Sequence, residues 1–253
     1  MKHYIITRVD IPQRLNKDIY SEVDPGIDFE WTRKRIELMQ KGVINQLQKQ
    51  TNKEFFHILL FRKESIIHKE LINSLPAHSF FIGFEDYEPI TDEEHAEVKF
   101  MEGHLGGHIA IRDLLNELDC LKYEDIIVTN VDSDDSIPID FVQKIQECYR
   151  YHINKPRPFY IDVQGVFRLH EKTGNVGYRQ TKSCSMFTSV VENHACLKLP
   201  YYIFGHSALH KHIKGYKMPG VYGCMLIHDQ NIMTKSLGDR NFTGTFKKED
   251  YYG

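Results

Sequence analysis

Short β-branched runs alternate with amphipathic segments through the first 150 residues, and this order constrains the fold more than any other sequence feature. Buried strands are predicted at 3–9, 55–62, 79–84 and 125–131. Helices are predicted at 29–50, 66–76, 106–121 and 138–152. Because strands that alternate with helices join through crossover connections, the order predicts a mainly parallel sheet with helices on both faces.

The remaining sequence has a different pattern. Residues 159–180 predict two strands joined by the turn sequence EKTGN, which is typical of a hairpin. Short strands and one short helix are predicted within 186–193, 201–213 and 222–232. No linker or fixed-period repeat separates the two parts, so we predict one domain over 1–253. Its expected class is α/β in three layers, with a mainly parallel sheet and a small antiparallel C-terminal part.

Composition excludes some classes of protein. A formal net charge of −3 argues against a nucleic-acid partner, which selects for basic surfaces. The five cysteines form no CxxC pair, and we interpret them as free thiols in a reducing compartment. No apolar stretch reaches the roughly 20 residues of a membrane span, and the N-terminus lacks a signal-peptide pattern. The sequence therefore predicts a cytoplasmic protein.

An acidic motif directly follows the fourth predicted strand. The sequence VDSDDS brings Asp132, Asp134 and Asp135 within four positions of one another. In open parallel sheets, ligands bind outside the carboxyl ends of the strands. Clustered carboxylates suit Mg²⁺ or Mn²⁺, which often take one or two of them together with phosphate oxygens. Capping of the next helix is the alternative, but three carboxylates together favour a metal site.

Three other interpretations of the acidic and histidine motifs fit less well. A calcium-binding EF-hand would need glycine where Ile137 stands and glutamate where Gln143 stands. A phosphatase of the haloacid-dehalogenase type would carry its Asp-x-Asp after an early strand, not after three others. His206 and His210 have the spacing of zinc ligands, but no third ligand accompanies them.

At this point the sequence resembles a known group of enzymes. The segment from GGHIAIRDLL to SIPIDFVQKI is similar to the helix–strand–DxDD–helix core of nucleotide-sugar glycosyltransferases with the GT-A fold. More narrowly, the pieces IITR, VDSDDSIPIDFVQKIQ, MFTSVVE, FGHSAL and IHDQNI resemble, in this order, a family of rhamnosyltransferases. The resemblance extends from about residue 4 to about residue 232. Its most specific element is the DXD-type motif after the fourth strand.

The resemblance implies roles for the acidic motif. Asp132 would face the nucleotide ribose or a metal ion. Asp134 would be a ligand of Mn²⁺ or Mg²⁺ that bridges the donor diphosphate, with His228 as a further metal or phosphate ligand. Asp135 would contact the sugar or support the other two carboxylates.

The resemblance also implies residues around the donor and a catalytic base. Thr7 and Arg8, at the end of the first strand, would line the nucleotide pocket. Arg112, in the helix before the acidic motif, would approach the donor. Glu192 is the first candidate for the base that deprotonates the acceptor hydroxyl, and Asp229 is the second.

The function that follows is a metal-dependent, inverting glycosyltransferase. It would move a sugar, with rhamnose as the expected one, from a UDP-, GDP- or dTDP-linked donor to a glycan or lipid-linked acceptor. A lipid-linked acceptor would allow peripheral contact with a membrane. Residues 1–150 would form the donor half and 151–253 the acceptor half.

The pattern departs from related enzymes at one place and leaves alternatives open. Many such enzymes read the nucleobase with an aspartate after the second strand, where this chain has Arg62, Lys63 and Glu64. The nucleobase is therefore not predicted. A non-catalytic nucleotide- or glycan-binding module and a metal-dependent phosphohydrolase stay as alternative functions.

Overall fold

The computed structural model describes most of the elements that the sequence predicts. The described residues are 1–9, 29–62, 79–84, 111–117, 124–180, 184–200, 206 and 208–228. The predicted helix at 66–76 and the candidate residues Lys63, Glu64 and Asp229 lie outside these ranges.

Nine strands and five helices are present in the described ranges. The strands are β1 (Lys2–Arg8), β2 (Phe56–Arg62), β3 (Ser79–Phe84), β4 (Asp125–Asn130), β5 (Asp135–Ser136), β6 (Phe159–His170), β7 (Val176–Gln180), β8 (Ser189–Asn193) and β9 (Lys214–Ile227). The helices are α1 (Phe29–Met39), α2 (Asn45–Lys49), α3 (111–117), α4 (Phe141–Tyr151) and α5 (Leu209–His212), and a π-helical turn (Gln40–Ile44) joins α1 to α2. Within these ranges, no helix combines the length and the apolar character needed to cross a bilayer.

All nine strands belong to one sheet. Its order is β3-β2-β1-β4-β8-β6-β9-β5, with β7 beside β6. Strands β3, β2, β1 and β4 are parallel to one another, and β6 and β9 are parallel to each other. Strands β5, β7 and β8 pair antiparallel with their partners. The predicted class, a mainly parallel sheet with an antiparallel C-terminal part, is confirmed.

A separate apolar core covers each face of the sheet. On one face, strand residues pack against α1, the π-helical turn, α2 and α4, with Ile5, Leu59, Ile127, Ile36, Met39, Phe141 and Ile145 fully or almost fully buried. On the other face, strand residues pack against α3 and α5, with Ile6, Val128, Ile111, Leu115 and Leu209 buried. Alternate side chains of a strand point to opposite faces, so β-branched runs without polar interruptions fill both cores. The three predicted layers are confirmed.

The C-terminal strands agree with the prediction at one place and differ at another. The hairpin of β6 and β7 turns through Gly174, whose φ of 68° suits glycine. Strand β9, however, begins at Lys214, earlier than the predicted strand at 222–232. Its partner register moves from Met218 opposite Val163 to Tyr222 opposite Gly165. This bulge absorbs the Pro219–Gly220 pair, which in the sequence indicates a break.

Candidate functional site

The acidic motif forms a tight turn at the carboxyl ends of β1 and β4. The N–H of Val131 donates to the carbonyl of Ile6 at 3.0 Å and extends the pairing of the two strands. The N–H of Asp135 then donates to the carbonyl of Asp132 at 3.0 Å. We call residues 132–135 the acidic turn. Asp135 continues into β5 opposite Met225, so the turn is fixed from two sides of the sheet.

Arg8 neutralises the first carboxylate of the acidic turn. It lies at the end of β1, and its Nη2 donates to Oδ1 of Asp132 at 2.6 Å. The side chain of Asp132 is 31% exposed and that of Arg8 is 14% exposed. The pair therefore lies at the surface rim of the site. The structure thus brings together two residues that the sequence predicts for the nucleotide pocket.

Arg35 and His228 hold the second carboxylate. Nη1 of Arg35 donates to Oδ2 of Asp134 at 2.7 Å, and Nε2 of His228 lies 2.8 Å from the same oxygen. The Asp134 side chain is 6% exposed, so these contacts form in a poorly solvated environment. Arg35 projects from α1, whose neighbouring residues Ile36 and Met39 are buried in the core. The helix backbone thereby fixes the position of the guanidinium group.

The environment shifts the pKa values of two carboxyl groups in opposite directions. Burial alone would raise the pKa of Asp134, but the positive charge of Arg35 and the contact with His228 outweigh it and lower the pKa below its ordinary value. Burial raises the pKa of Asp135 well above its ordinary value, and the charges of Asp134 and Asp132 raise it further. Asp134 is therefore held as an anion, while the surroundings of Asp135 favour the neutral acid.

Two polar atoms of the turn lack partners within the described residues. Oδ2 of Asp135 and Oγ of Ser133 are buried without a hydrogen bond there. Native proteins leave few buried polar groups unsatisfied, and such groups call for a specific explanation. Both residues belong to the acidic turn, so the described residues do not satisfy all of its buried polar atoms.

The predicted metal ligands do not assemble into a cage. Asp134 and His228 meet, but Asp132 is paired with Arg8. In the described part of the chain, no group of three or more His, Cys, Asp or Glu side chains is arranged to hold a metal ion. The positive charge beside Asp132 and Asp134 comes instead from two guanidinium groups, those of Arg8 and Arg35.

Two further predicted donor-site residues have other surroundings. Thr7 is fully buried, and its hydroxyl lies 3.0 Å from Nε2 of His57 on β2. Its side chain therefore packs inside the sheet layer and does not line an open pocket. Arg112 is exposed on α3, and its Nη2 lies 3.3 Å from Oδ1 of Asp113, its neighbour in the chain. The structure does not bring either residue into contact with the acidic turn.

The predicted base Glu192 lies at the other end of β4. Strand β8 is antiparallel to β4 and places Glu192 opposite Ile126, six positions before Asp132 and so about 20 Å away at the usual strand rise. The Glu192 carboxylate accepts the N–H groups of Lys198 at 3.0 Å and Leu199 at 2.9 Å. Leu199 has a φ of 49°, which is rare outside glycine, so the carboxylate stabilises an unusual turn. This geometry gives Glu192 a structural task and does not support its predicted catalytic role.

A buried polar network that the sequence does not predict lies beside the acidic turn. Asp162 on β6 is fully buried, accepts the N–H of Ser185 at 3.0 Å and forms an ion pair with Lys217 on β9. His206 lies within electrostatic range of Asp162 and of the Arg8–Asp132 pair, and burial lowers its pKa. Neutral His206 is therefore favoured near the rim of the site. The pairing of β6 with β9 places Asp162 opposite Lys217. Because periodicity does not reveal this pairing, the sequence does not predict the network.

Comparison with protein families identifies the chain. The family described as "Putative rhamnosyl transferase" matches residues 88–240, which is more than half of the sequence. The match includes the acidic turn and His228. The chain belongs to this family. Its α/β sheet with an acidic turn at the strand ends is the arrangement expected from the resemblance.

Solved structures show more distant likenesses. Residues 1–349 of TarS from S. aureus, in complex with UDP-GlcNAc, match 93% of this chain and 61% of that one at 11% identity and a TM-score of 0.44. HddC from Yersinia pseudotuberculosis matches 89% of this chain and 93% of that one at 14% identity and a TM-score of 0.41. The inositol-1-phosphate CTP transferase from T. maritima matches 89% of each chain at 11% identity and a TM-score of 0.39. At this level of similarity, neither the substrate nor the reaction of these three proteins can be assigned to this chain. None of the curated proteins compared with the chain matches it.

Proposed function

We propose that the protein is a glycosyltransferase that moves a sugar from a nucleotide-sugar donor to an acceptor hydroxyl at the acidic turn. The observation that carries this proposal is the crowding of three carboxylates with Arg8, Arg35 and His228 at the carboxyl ends of β1 and β4. In open sheets this edge is where ligands bind. Membership of the rhamnosyl transferase family supports the same reaction class.

The reaction requires charge stabilisation on the donor side. The acceptor oxygen bonds to the anomeric carbon, and the bond from that carbon to the diphosphate breaks with its electron pair on the diphosphate oxygen. Guanidinium groups stabilise such a developing charge through charge-assisted hydrogen bonds. Arg8 and Arg35 carry these groups at the site.

The acceptor side requires a base that takes the hydroxyl proton. Because Glu192 lies at the opposite end of β4, we propose Asp229 for this role. Asp229 directly follows His228, which contacts Asp134 at the site. Inversion at the anomeric carbon, rhamnose as the sugar, and a glycan or lipid-linked acceptor belong to the same proposal. Mn²⁺ or Mg²⁺ as a cofactor stays a prediction of the resemblance, and no step above depends on it.

Donor turnover tests the proposed function directly. Purified protein is incubated with UDP-, GDP- and dTDP-linked hexoses and deoxyhexoses, and release of the nucleoside diphosphate is measured with and without a panel of acceptor glycans. We expect release from one nucleotide class only. Asp132→Asn should reduce it by up to about 100-fold, because Arg8 loses the carboxylate that positions its guanidinium group for the diphosphate.

The two variants in this test are chosen so that neither substitution should disturb folding. Asp132 is 31% exposed at the rim, so its amide replacement leaves no buried cavity. Asp113→Asn, on the exposed face of α3, is the control and should retain full turnover. Release of inorganic phosphate from simple phosphoesters would instead identify a phosphohydrolase. Tight nucleotide binding without any donor turnover would identify a binding module.

A further inference from the structure

One nitrogen atom of Arg35 contacts both atoms that a metal ion would need. Nη1 lies 2.7 Å from Oδ2 of Asp134 and 3.3 Å from Nε2 of His228. The resemblance implies that these two side chains hold a divalent cation. In the structure they hold the cationic group of Arg35.

The charges at the site are already balanced by side chains. The carboxylates of Asp132 and Asp134 each form an ion pair with one guanidinium group. Arg35 is 15% exposed and Asp134 is 6% exposed, so their pair is shielded from water. Removing one partner of such a pair leaves an uncompensated buried charge, which is strongly unfavourable. A divalent cation at Asp134 would have to displace Arg35 against this cost.

A guanidinium group is also well suited to phosphate. It has five N–H donors in a planar fork that matches two oxygens of a phosphate group. It can therefore keep its contact with a carboxylate and bind a phosphate oxygen at the same time. Asp134 accepts a hydrogen bond from one edge of the Arg35 fork, His228 contacts the same carboxylate oxygen, and Arg35 projects from α1.

We propose that Arg35 replaces the divalent cation of this site, so that the donor diphosphate binds to Arg35 and Arg8 without Mn²⁺ or Mg²⁺. Asp134 and His228 are then positioning residues for Arg35 and not metal ligands. This inference rests on the proposed function, because it assigns the diphosphate of a nucleotide-sugar donor to the site.

Calorimetric titration of the wild-type protein tests the inference without any substitution. UDP, GDP and dTDP are each titrated in Mn²⁺ and in EDTA. We expect one nucleotide to bind with a Kd that differs by less than about threefold between the two conditions. A gain of about tenfold or more in Mn²⁺ would overturn the inference and leave the glycosyltransferase proposal intact. If none of the three nucleotides binds in either condition, the proposed function itself is overturned, and the inference with it.

A pair of variants on one helix tests the role of Arg35. In EDTA, Arg35→Gln should weaken binding of the nucleotide about tenfold or more, the expected order for a lost charge-assisted hydrogen bond. Arg33→Gln is the matched control on α1, because Arg33 is exposed and pairs only with Glu30 and Glu37 among the ion pairs of the described residues. It should bind as the wild type does. Equal affinity of Arg35→Gln and the wild type would contradict the inference.

Manganese alone supplies an independent measurement. Binding of Mn²⁺ is followed by electron paramagnetic resonance in the wild type and in Arg35→Gln. Only the variant should bind the ion, because the substitution releases Asp134 and His228 from the guanidinium. Tight Mn²⁺ binding by the wild type would contradict the proposal. Should Arg35→Gln fail to fold, Arg35→Lys keeps the charge, loses the fork and should also weaken nucleotide binding in EDTA.

Discussion

Carboxylates lie near both ends of β4, and their surroundings differ. At the carboxyl end, the acidic turn crowds three carboxylates against cationic side chains from β1 and α1. At the amino end, Glu192 on β8 accepts hydrogen bonds from two backbone N–H groups of the following turn. The first arrangement depends on residues far apart in the sequence, and the second depends on residues within seven positions of one another.

The difference distinguishes a carboxylate whose role in the fold is clear from a cluster whose role in the fold is not. Folding alone explains Glu192, because its carboxylate stabilises the left-handed conformation of Leu199. Folding does not explain the acidic turn, since like charges repel and each buried ion pair has a desolvation cost. Clusters of this kind persist mainly where they bind or transform a ligand.

The largest expected effect follows from neutralising Asp134. Asp134→Asn should lower donor turnover about 100-fold or more, because Arg35 loses the charge that positions it. The unfolding free energy should fall by about 3–5 kcal/mol, because the substitution leaves the poorly exposed charge of Arg35 without its partner. Nucleoside diphosphate release and urea unfolding measure the two quantities. Unchanged turnover would show that the carboxylates at both ends of β4 have only a structural role.

Glu192→Gln should have the opposite profile, with turnover within about threefold of the wild type and an altered pH dependence of stability. Burial raises the pKa of Glu192 from 4.5 to about 7. The folded protein therefore binds more protons between these values, and its stability should fall as the pH rises from about 4.5 to about 7. The wild type should lose about 1–3 kcal/mol over this window, whereas the variant should not.

Urea unfolding of both proteins from about pH 5 to about pH 8 checks this expectation. Parallel stability curves would contradict the assigned environment of Glu192. Loss of turnover in a folded Glu192→Gln protein would restore Glu192 as the catalytic base and remove the contrast between the two ends.

A smaller effect is expected from Arg157→Lys, which also acts at the amino end of β4. Nε of Arg157 donates to Oδ2 of Asp125 at 3.1 Å, and its guanidinium lies 5.1 Å from the ring centre of Phe159. Lysine keeps the charge but loses the planar fork, so the unfolding free energy should fall by about 1 kcal/mol. Nucleotide affinity should stay unchanged. A weaker affinity, measured by the same calorimetric titration, would show that the two ends are coupled.

At the carboxyl end of β4, much of the structure could be predicted from the sequence. At the amino end it could not. The β-branched run before Asp132 predicts a buried strand, which the structure confirms, and the end of that strand predicts a ligand site. Arg8, at the end of β1, is implied by the resemblance to the rhamnosyltransferase family. The short strand β5 within the acidic turn is not predictable, because two residues have no periodicity.

Partners from distant elements also escape the sequence pattern. Arg35 is 99 positions from Asp134, and helical periodicity does not distinguish it from its basic neighbours Arg33 and Lys34. The position of Glu192 is not predictable for a related reason. Periodicity identifies β8 as a strand but not its direction, and the antiparallel pairing with β4 carries Glu192 away from the site. Site residues that depend on strand direction or helix rotation therefore need the structure.

Strand β8 also limits how the molecule can move. It lies between β4 and β6 and hydrogen-bonds to both, so one continuous sheet joins the predicted donor half to the predicted acceptor half. A hinge between the halves would have to break this ladder, in contrast to enzymes whose two domains close around a cleft. Substrate entry and product release should therefore leave the sheet rigid. Turnover should depend on rearrangement of side chains and connecting segments at its edge.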